Sequence, residues 1–193
     1  MNKDARNKLI EAATPLFAIH GYGAVSIRDV AKKAGLNSAL INYHFGGKEG
    51  LYLQVLKSQY DHLVNWLQSE NLTTFEPVER IKWITQKFFF IQNEYPYFRK
   101  LIHHELCSPT PAFKIIAKDY LFQFYQFFKE TLEEGIGKGE FNKQLQTRDA
   151  TIIFAGLVNY YFLVQSVLEE IVPVENEESF SQQALDIFLK GIR

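Results

Sequence analysis

The chain has 193 residues, 47% of them hydrophobic and 22% charged, with a formal charge of -1, a composition that fits one medium or two small folded domains and excludes wholesale disorder. A single cysteine, Cys107, excludes an intramolecular disulfide, and charges crowd MNKDARNKLI, where an export signal would be apolar. With no run near the roughly 18 to 20 apolar residues of a membrane span, a cytoplasmic protein without a membrane partner is expected. The charge is unevenly divided: residues 1–50 hold seven Lys/Arg against four Asp/Glu, and residues 51–193 hold 14 against 18. A basic head suits a polyanion and an acidic body does not, although a chance fluctuation of surface charge gives the same figures.

Apolar residues recur at three- and four-residue spacing nearly throughout, without alternating strands or hairpin signals, so the predicted fold is all-α with about nine helices. The first helix is expected from about Lys3 to Ile19, with Leu9, Ala13, Leu16 and Phe17 inward, a bend at Pro15 and closure at His20-Gly21. Ser26 is a good N-cap with Asp29 three residues on, and Ile27, Val30, Ala31 and Ala34 form an inward stripe ending at Gly35. Leu36 plugs the corner, and Asn37 caps a second short helix from Ser38 to about Phe45 with Ile41 and Phe45 inward. Two short helices, a glycine turn and a small alanine make a helix-turn-helix, where an ordinary helical hairpin is the plainer alternative. The outer face of the second helix argues for the former. Ser38, Asn42, Tyr43 and His44 are compact hydrogen-bonding groups rather than the Glu/Lys mixture of a merely solvated surface.

After Gly46-Gly47, a long helix is expected from near Lys48 to near Glu70, with Leu51, Tyr52, Val55, Leu63, Trp66 and Leu67 on its packed side. Further helices are expected from Pro77 to about Asn93, from Tyr95-Pro96 to about Cys107, and from Phe113 to the glycines of 135–139. The last two should span about Thr147 to Ile171, halting before Pro173, and about Ser179 to Lys190.

The segment ARNKLIEAATPLFAIHGYGAVSIRDVAKKAGLNSALINYHFGGKEGLY, residues 5 to 52, resembles the DNA-binding head of TetR-family regulators. The resemblance is carried by Phe17 to Gly21, by Ser26-Ile27-Arg28-Asp29-Val30-Ala31, by Ala34-Gly35-Leu36, and by Tyr43-His44-Phe45 with Lys48-Glu49. Leu40 and Asn42 depart from it, standing where a small hydroxyl residue and an aromatic are frequent. It implies a DNA-binding domain at 1–48 followed by a helical ligand-sensing and dimerisation domain at 49–193. It further implies a repressor released from a palindromic operator by a small molecule. An architectural or activating DNA-binding protein without an inducer is the alternative.

In a helix-turn-helix the second helix enters the major groove. The expected DNA-binding residues are therefore Arg28, Asn37, Ser38, Ala39, Asn42, Tyr43, His44 and Lys48. Ala39 suits a thymine methyl and Asn42 an adenine edge, while Tyr43, His44, Lys48 and Arg28 suit phosphates. One monomer reads too few base pairs, so a homodimer on double-stranded operator DNA is expected. The 151–171 helix is apolar nearly all round and so must be buried on two sides. Ile153, Gly156, Tyr160, Leu163 and Val167, with Ala184 and Phe188 of the last helix, are the candidate dimer residues, and the resemblance likewise implies a four-helix interface there. A central core helix of a monomer is the plainer reading.

The body is crowded with aromatic residues, and an apolar pocket with few polar anchors would suit an unidentified small-molecule effector. Phe89, Phe98, His103, Phe124 and Asn159 are its candidate ligand-binding residues. Catalysis, cofactors and metals are not expected. His103, His104 and Glu105 are consecutive, so about 100° apart on a helix, and cannot converge on one ion. His103 and Cys107 could touch but lack a third group, and the Gly-Tyr-Gly and GIGKG stretches lack the setting of a phosphate loop.

Overall fold

The computed structural model describes residues 2–69, 72–172 and 177–193, leaving out the side chains at 2, 62, 63, 65–69, 73, 166, 169, 177 and 178. Its helices are α1 (Asn2–Ala24), α2 (Ile27–Ala34), α3 (Ala39–Phe45), α4 (Lys48–Ser69), α5 (Pro77–Glu94) and α6 (Pro96–Cys107), then α7 (Pro111–Ile116), α8 (Phe122–Gly137), α9 (Thr147–Ile171) and α10 (Glu177–Ile192). A 3-10 turn covers Leu72–Thr74, and a π turn, Ala117–Leu121, joins α7 directly to α8. Counting α7, the π turn and α8 as one stretch gives nine helices among the described residues, all-α as the periodicity implied. The expected ends at Glu70 and Pro173, and the packing of Leu63, Trp66 and Leu67, lie outside the described residues.

The chain forms two compact units, one of residues up to Trp66 with Tyr95–Leu121, the other of Leu67–Glu94 with Phe122–Arg193. In the first, α1 packs against α2, α3 and α6. Leu9, Ala13 and Phe17 of α1, Val30 of α2, Ile41 of α3 and Leu51, Tyr52 and Val55 of α4 are all fully buried. The break in α1 falls at Gly21 (φ 74, ψ 165), with helical turns continuing to Ala24. Closure is expected there, at His20-Gly21, while at Pro15, the expected bend, the backbone stays helical. A proline at a partly exposed position gives up one hydrogen bond yet keeps its helical φ, whereas the positive φ of Gly21 is open only to glycine.

The second unit is built on rings. Phe128 stacks on Phe154 with centroids 4.2 Å apart, and Phe188 closes on Phe154 at 5.1 Å. Phe154 meets Phe188 while Tyr161 meets Phe180 at 4.5 Å, so α9 and α10 run antiparallel. Arg80 ties α5 to α8 from inside. It is almost wholly buried and donates to the carbonyls of Leu72 (2.9 Å) and Phe75 (3.0 Å), to Thr131 (3.3 Å) and to Glu134 (2.9 Å). Hydrogen bonds from Lys138 and then Arg80 hold the Glu134 carboxyl below the usual carboxylate range.

One close approach fixes the head. A Cβ at Gly50, in the first turn of α4, would stand 1.9 Å from the carbonyl oxygen of Phe45 at the end of α3. Since that atom is backbone, relief requires α3 and α4 to separate. Gly50→Ala is expected to destabilise the protein by about 2 kcal/mol in urea denaturation, as overpacking of a tight contact does. Gly137→Ala, where a Cβ meets nothing within 4 Å, should change stability little.

Candidate nucleic-acid interface and sensor body

The α2–α3 pair begins with a cap. Ser26 has an extended backbone (φ -98, ψ 158); its hydroxyl oxygen accepts from the Asp29 N–H at 3.2 Å, and the Asp29 carboxylate accepts from the Ser26 N–H at 3.0 Å. This reciprocal capping box fixes where α2 starts. The Ser26 hydroxyl also donates to that carboxylate at 2.6 Å, and hydrogen bonding to Ser26 lowers the Asp29 pKa. Gly35 ends the helix at φ 65, with the Leu36 N–H on the Ala31 carbonyl at 2.9 Å. Leu36 is half-buried at the corner. Asn37 then accepts from the Ala39 N–H at 2.8 Å, so it caps α3 from one residue further out than the formal cap, Ser38, which makes no side-chain cap bond.

With both helices fixed, α3 divides cleanly. Ile41 is fully buried, while Ala39, Asn42 and Tyr43 are exposed, Tyr43 at 72%. Arg28 and Asn37 are exposed and Ser38 is half-exposed. His44 is half-buried, packs its ring between Tyr43 and Phe45, and has its Nε2 shielded without a protein partner. Lys48 does more than the sequence indicated. Its Nζ lies over the Tyr22 ring at 4.3 Å and donates to the Gly23 carbonyl at 3.4 Å, bracing α4 against the end of α1. Behind it, Tyr22 meets Tyr52 at 4.9 Å and Tyr52 meets Phe17 at 4.8 Å.

Glu105, a buried carboxylate of α6, accepts from the Thr110 N–H at 2.7 Å and hydroxyl at 2.9 Å, holding the corner at which Thr110 caps α7. It also acts on two phenols of α4. Burial first, then Glu105, drives the Tyr52 and Tyr60 pKa values upward. Sequence reasoning missed this cluster, because it considered Glu105 only as a metal ligand.

The candidate ligand residues divide between the units. In the first, Phe98 is buried edge-on to Tyr60 (5.1 Å), and His103 is half-buried with a shielded, unpartnered Nε2 and a pKa lowered by burial and then by Arg99 and His104. In the second, Phe89 is buried against Phe162 at 4.9 Å, Phe124 is half-buried on Phe128, and Asn159 donates to the Ala155 carbonyl at 2.8 Å while its Oδ1 stays shielded and unpartnered. Gln92, which sequence reasoning did not single out, is fully buried with neither amide atom partnered.

Of the candidate dimer residues, Ile153, Gly156, Tyr160, Leu163 and Val167 all lie exposed on one side of α9, and Ile171 continues the line. The opposite side, Phe154, Val158 and Tyr161, is core. Ala184 and Phe188 are buried within the protomer; the exposed large apolar residue among the described residues of α10 is Ile187. The stripe borders an open apolar cleft of about 400 Å³ lined by Leu145, Ile153, Leu157, Ile187 and Ile192 among others.

Residues 9–55 match the model of the bacterial regulatory proteins of the tetR family. The chain is a TetR-family transcriptional regulator. It is 26% identical over 143 residues to the probable HTH-type transcriptional regulator YttP of Bacillus subtilis, spanning 73% of this chain and 69% of that one. It is 25% identical over 190 residues to the HTH-type transcriptional repressor KstR2 of Mycolicibacterium smegmatis, spanning 97% and 90%. In fold it matches the transcriptional regulator FadR of Bacillus subtilis, solved in complex with stearoyl-CoA, with a TM-score of 0.80 over 96% of this chain and 98% of that one at 19% identity. No helix among the described residues of the TetR-family chain is long and apolar enough to cross a membrane, and no group of three or more His, Cys, Asp or Glu among them could hold a metal.

The capping box yields a pH signature for this TetR head. The Asp29 pKa is depressed in the fold, so its contribution is present above the unfolded carboxylate pKa and lost as pH falls through the folded value. Ser26→Ala should lower the denaturation midpoint at neutral pH, and the gap from wild type should narrow as the solution is acidified below the usual carboxylate range, leaving the part due to the Asp29 N–H bond.

Proposed function

We propose that this regulator is a cytoplasmic repressor that binds a palindromic operator as a homodimer and leaves it when a small apolar effector enters its helical body. The observation that carries the DNA reading is the division of α3, with Ile41 locked in the core and Ala39, Asn42 and Tyr43 presented outward from a helix capped at both ends. Ala39 and Asn42 are short enough to meet base edges, and Tyr43 and Arg28 reach phosphate. Lys48 stays in the set as a phosphate contact already held in place by Tyr22, and Asn37 and Ser38 flank the entry to the groove. His44, with its Nε2 turned inward, supports the neighbouring rings and offers the backbone of DNA only its other edge. The function divides at the end of the motif: residues 1–48 bind DNA, and 49–193 sense and dimerise.

The partner surface is the α9 stripe, Ile153, Gly156, Tyr160, Leu163 and Val167, extended by Ile171 and Ile187. An apolar line this long on a helix whose other side is already core fits a second copy of the same helix. Ala184 and Phe188 support that face from beneath. The effector reading draws on the aromatic interior of the second unit, where Phe89, Phe124 and Asn159 are the candidate contacts, and on the FadR structure having been solved in complex with stearoyl-CoA; Phe98 and His103, the other candidates from the sequence, lie in the first unit. Derepression follows when the effector binds the DNA-free arrangement more tightly than the bound one. These residues form no constellation that would carry catalysis.

Selection from a random DNA library with the purified protein tests the DNA reading. One enriched inverted repeat is expected; no enrichment in the presence or absence of cell extract overturns it. On the enriched site, Lys48→Gln should weaken binding and flatten the log K against log salt slope by about one unit per protomer. Leu163→Glu should leave the protein folded but monomeric in sedimentation, since each unpaired carboxylate buried at a symmetric interface costs on the order of 3 kcal/mol. A dimer of undiminished strength would remove α9 from the interface.

A further inference from the structure

Among its described residues the second unit has few buried side-chain polar atoms without a partner. Thr85, Thr131 and Thr151 are buried and return their hydroxyls to the carbonyls one turn back, of Ile81 (2.8 Å), Phe127 (2.9 Å) and Thr147 (2.7 Å). Arg80 places all three of its nitrogens. Against that background Gln92 stands out. Its side chain is fully buried, and neither its amide nitrogen nor its oxygen has a protein partner. An unpaired buried amide is costly, and a leucine or methionine would fill the same space without that cost.

The surroundings point to an apolar guest. Gln92 lies one helical turn after Phe88 and Phe89, which pack on Phe162 at 6.5 and 4.9 Å. Asn159, one turn before Phe162 on α9, carries the other buried unsatisfied side-chain atom among the described residues of this unit, its Oδ1; its amide is already committed to the Ala155 carbonyl. The orphaned groups are thus a donor and acceptor on α5 and an acceptor on α9, each one helical turn along from rings that pack together.

The charges narrow the guest further. Arg80 is the one buried charged residue among the described residues of this unit, and Glu134 already neutralises it. A carboxylate buried beside Gln92 would therefore have no free cation there, and burying an ion without a counter-charge is far dearer than burying an amide, carbonyl or hydroxyl. We propose that Gln92 is the polar anchor of the effector site and selects a neutral hydrogen-bonding group carried on an apolar skeleton. This rests on the reading of the helical body as a sensor.

The test uses four probes with one alkyl chain, dodecanamide, dodecanol, dodecanoic acid and dodecane, titrated calorimetrically into the full-length protein and its Gln92→Met variant. Wild type is expected to bind the amide and the alcohol about tenfold more tightly than the acid or the hydrocarbon, the value of one good buried hydrogen bond. Gln92→Met should erase that preference while leaving dodecane unchanged, and it should still bind the selected operator. Should the methionine variant unfold, Gln92→Leu replaces it. An unchanged ranking in the folded variant, a wild-type preference for the acid, or a variant that only gains stability (the mark of a resident water) would overturn the assignment. So would binding of none of the four by a protein that still binds its operator; that outcome leaves the DNA reading intact, whereas failure of operator selection sinks the regulator reading itself.

Discussion

The wedge of Phe17, Tyr22 and Tyr52 is the contact on which the head depends. Phe17 and Tyr52 are fully buried edge to face, and Tyr22 lies against both. Aromatic pairs of this kind add about 1 kcal/mol beyond the area they bury, but their geometric consequence matters more. They join the end of α1 to the second turn of α4, and α3 is pinned between these helices through Ile41 and the Phe45–Gly50 approach. A recognition helix of seven residues is too short to hold itself. Its orientation is therefore borrowed from rings packed on one another within the head, and Lys48, resting on Tyr22, is placed by the same wedge.

The wedge also explains why α6 and α7 belong to the first unit although they lie far along the chain. Glu105 accepts from Thr110 and so holds the corner between α6 and α7, its charge bears on Tyr52 and Tyr60 of α4, and α6 itself packs against α1. Next to it, Tyr60 rests on Phe98 and on Tyr120 at 5.7 Å, and Tyr120 donates to Asp61 at 2.9 Å. Burial and that bond raise the Tyr120 pKa to about 12. The head is thus buttressed by residues that a linear division of the sequence assigns elsewhere.

What was legible in the sequence is what depends on neighbours in the chain. Ser26 with Asp29, the positive φ at Gly35, and the inward Val30, Ala31 and Ile41 are local rules, and each holds. Asn37 caps α3 as its type and place implied, and the outer stripe of α9 appears at its spacing of three and four. Features set by distant segments were not legible. Gly50 looks like any helix-interior glycine until the Phe45 carbonyl is placed beside it. Glu105 sits in HHE, where the eye goes to metals, and its partners are on α4 and α7. Ala184 and Phe188 read as interface because the apolar pattern of a helix gives the width of a face, not which neighbour covers it.

Gln92 is the extreme case, since a lone glutamine in IQNEY has no pattern at all and acquires meaning only from full burial without a partner. Such a group must be held, or the helix that carries it would rotate to satisfy it. Arg80, three turns earlier on α5, supplies that constraint. A buried arginine paired with Glu134 contributes little net stability over an apolar packing of the same shape. Its four directional bonds, with Lys138 closing on Glu134 at 2.9 Å and on Glu76 at 2.6 Å, nonetheless admit only one rotation of α5 against α8. Fixing that rotation at the start of the helix fixes where Gln92 points at its end, and the satisfied polar network is what keeps the unsatisfied one in place.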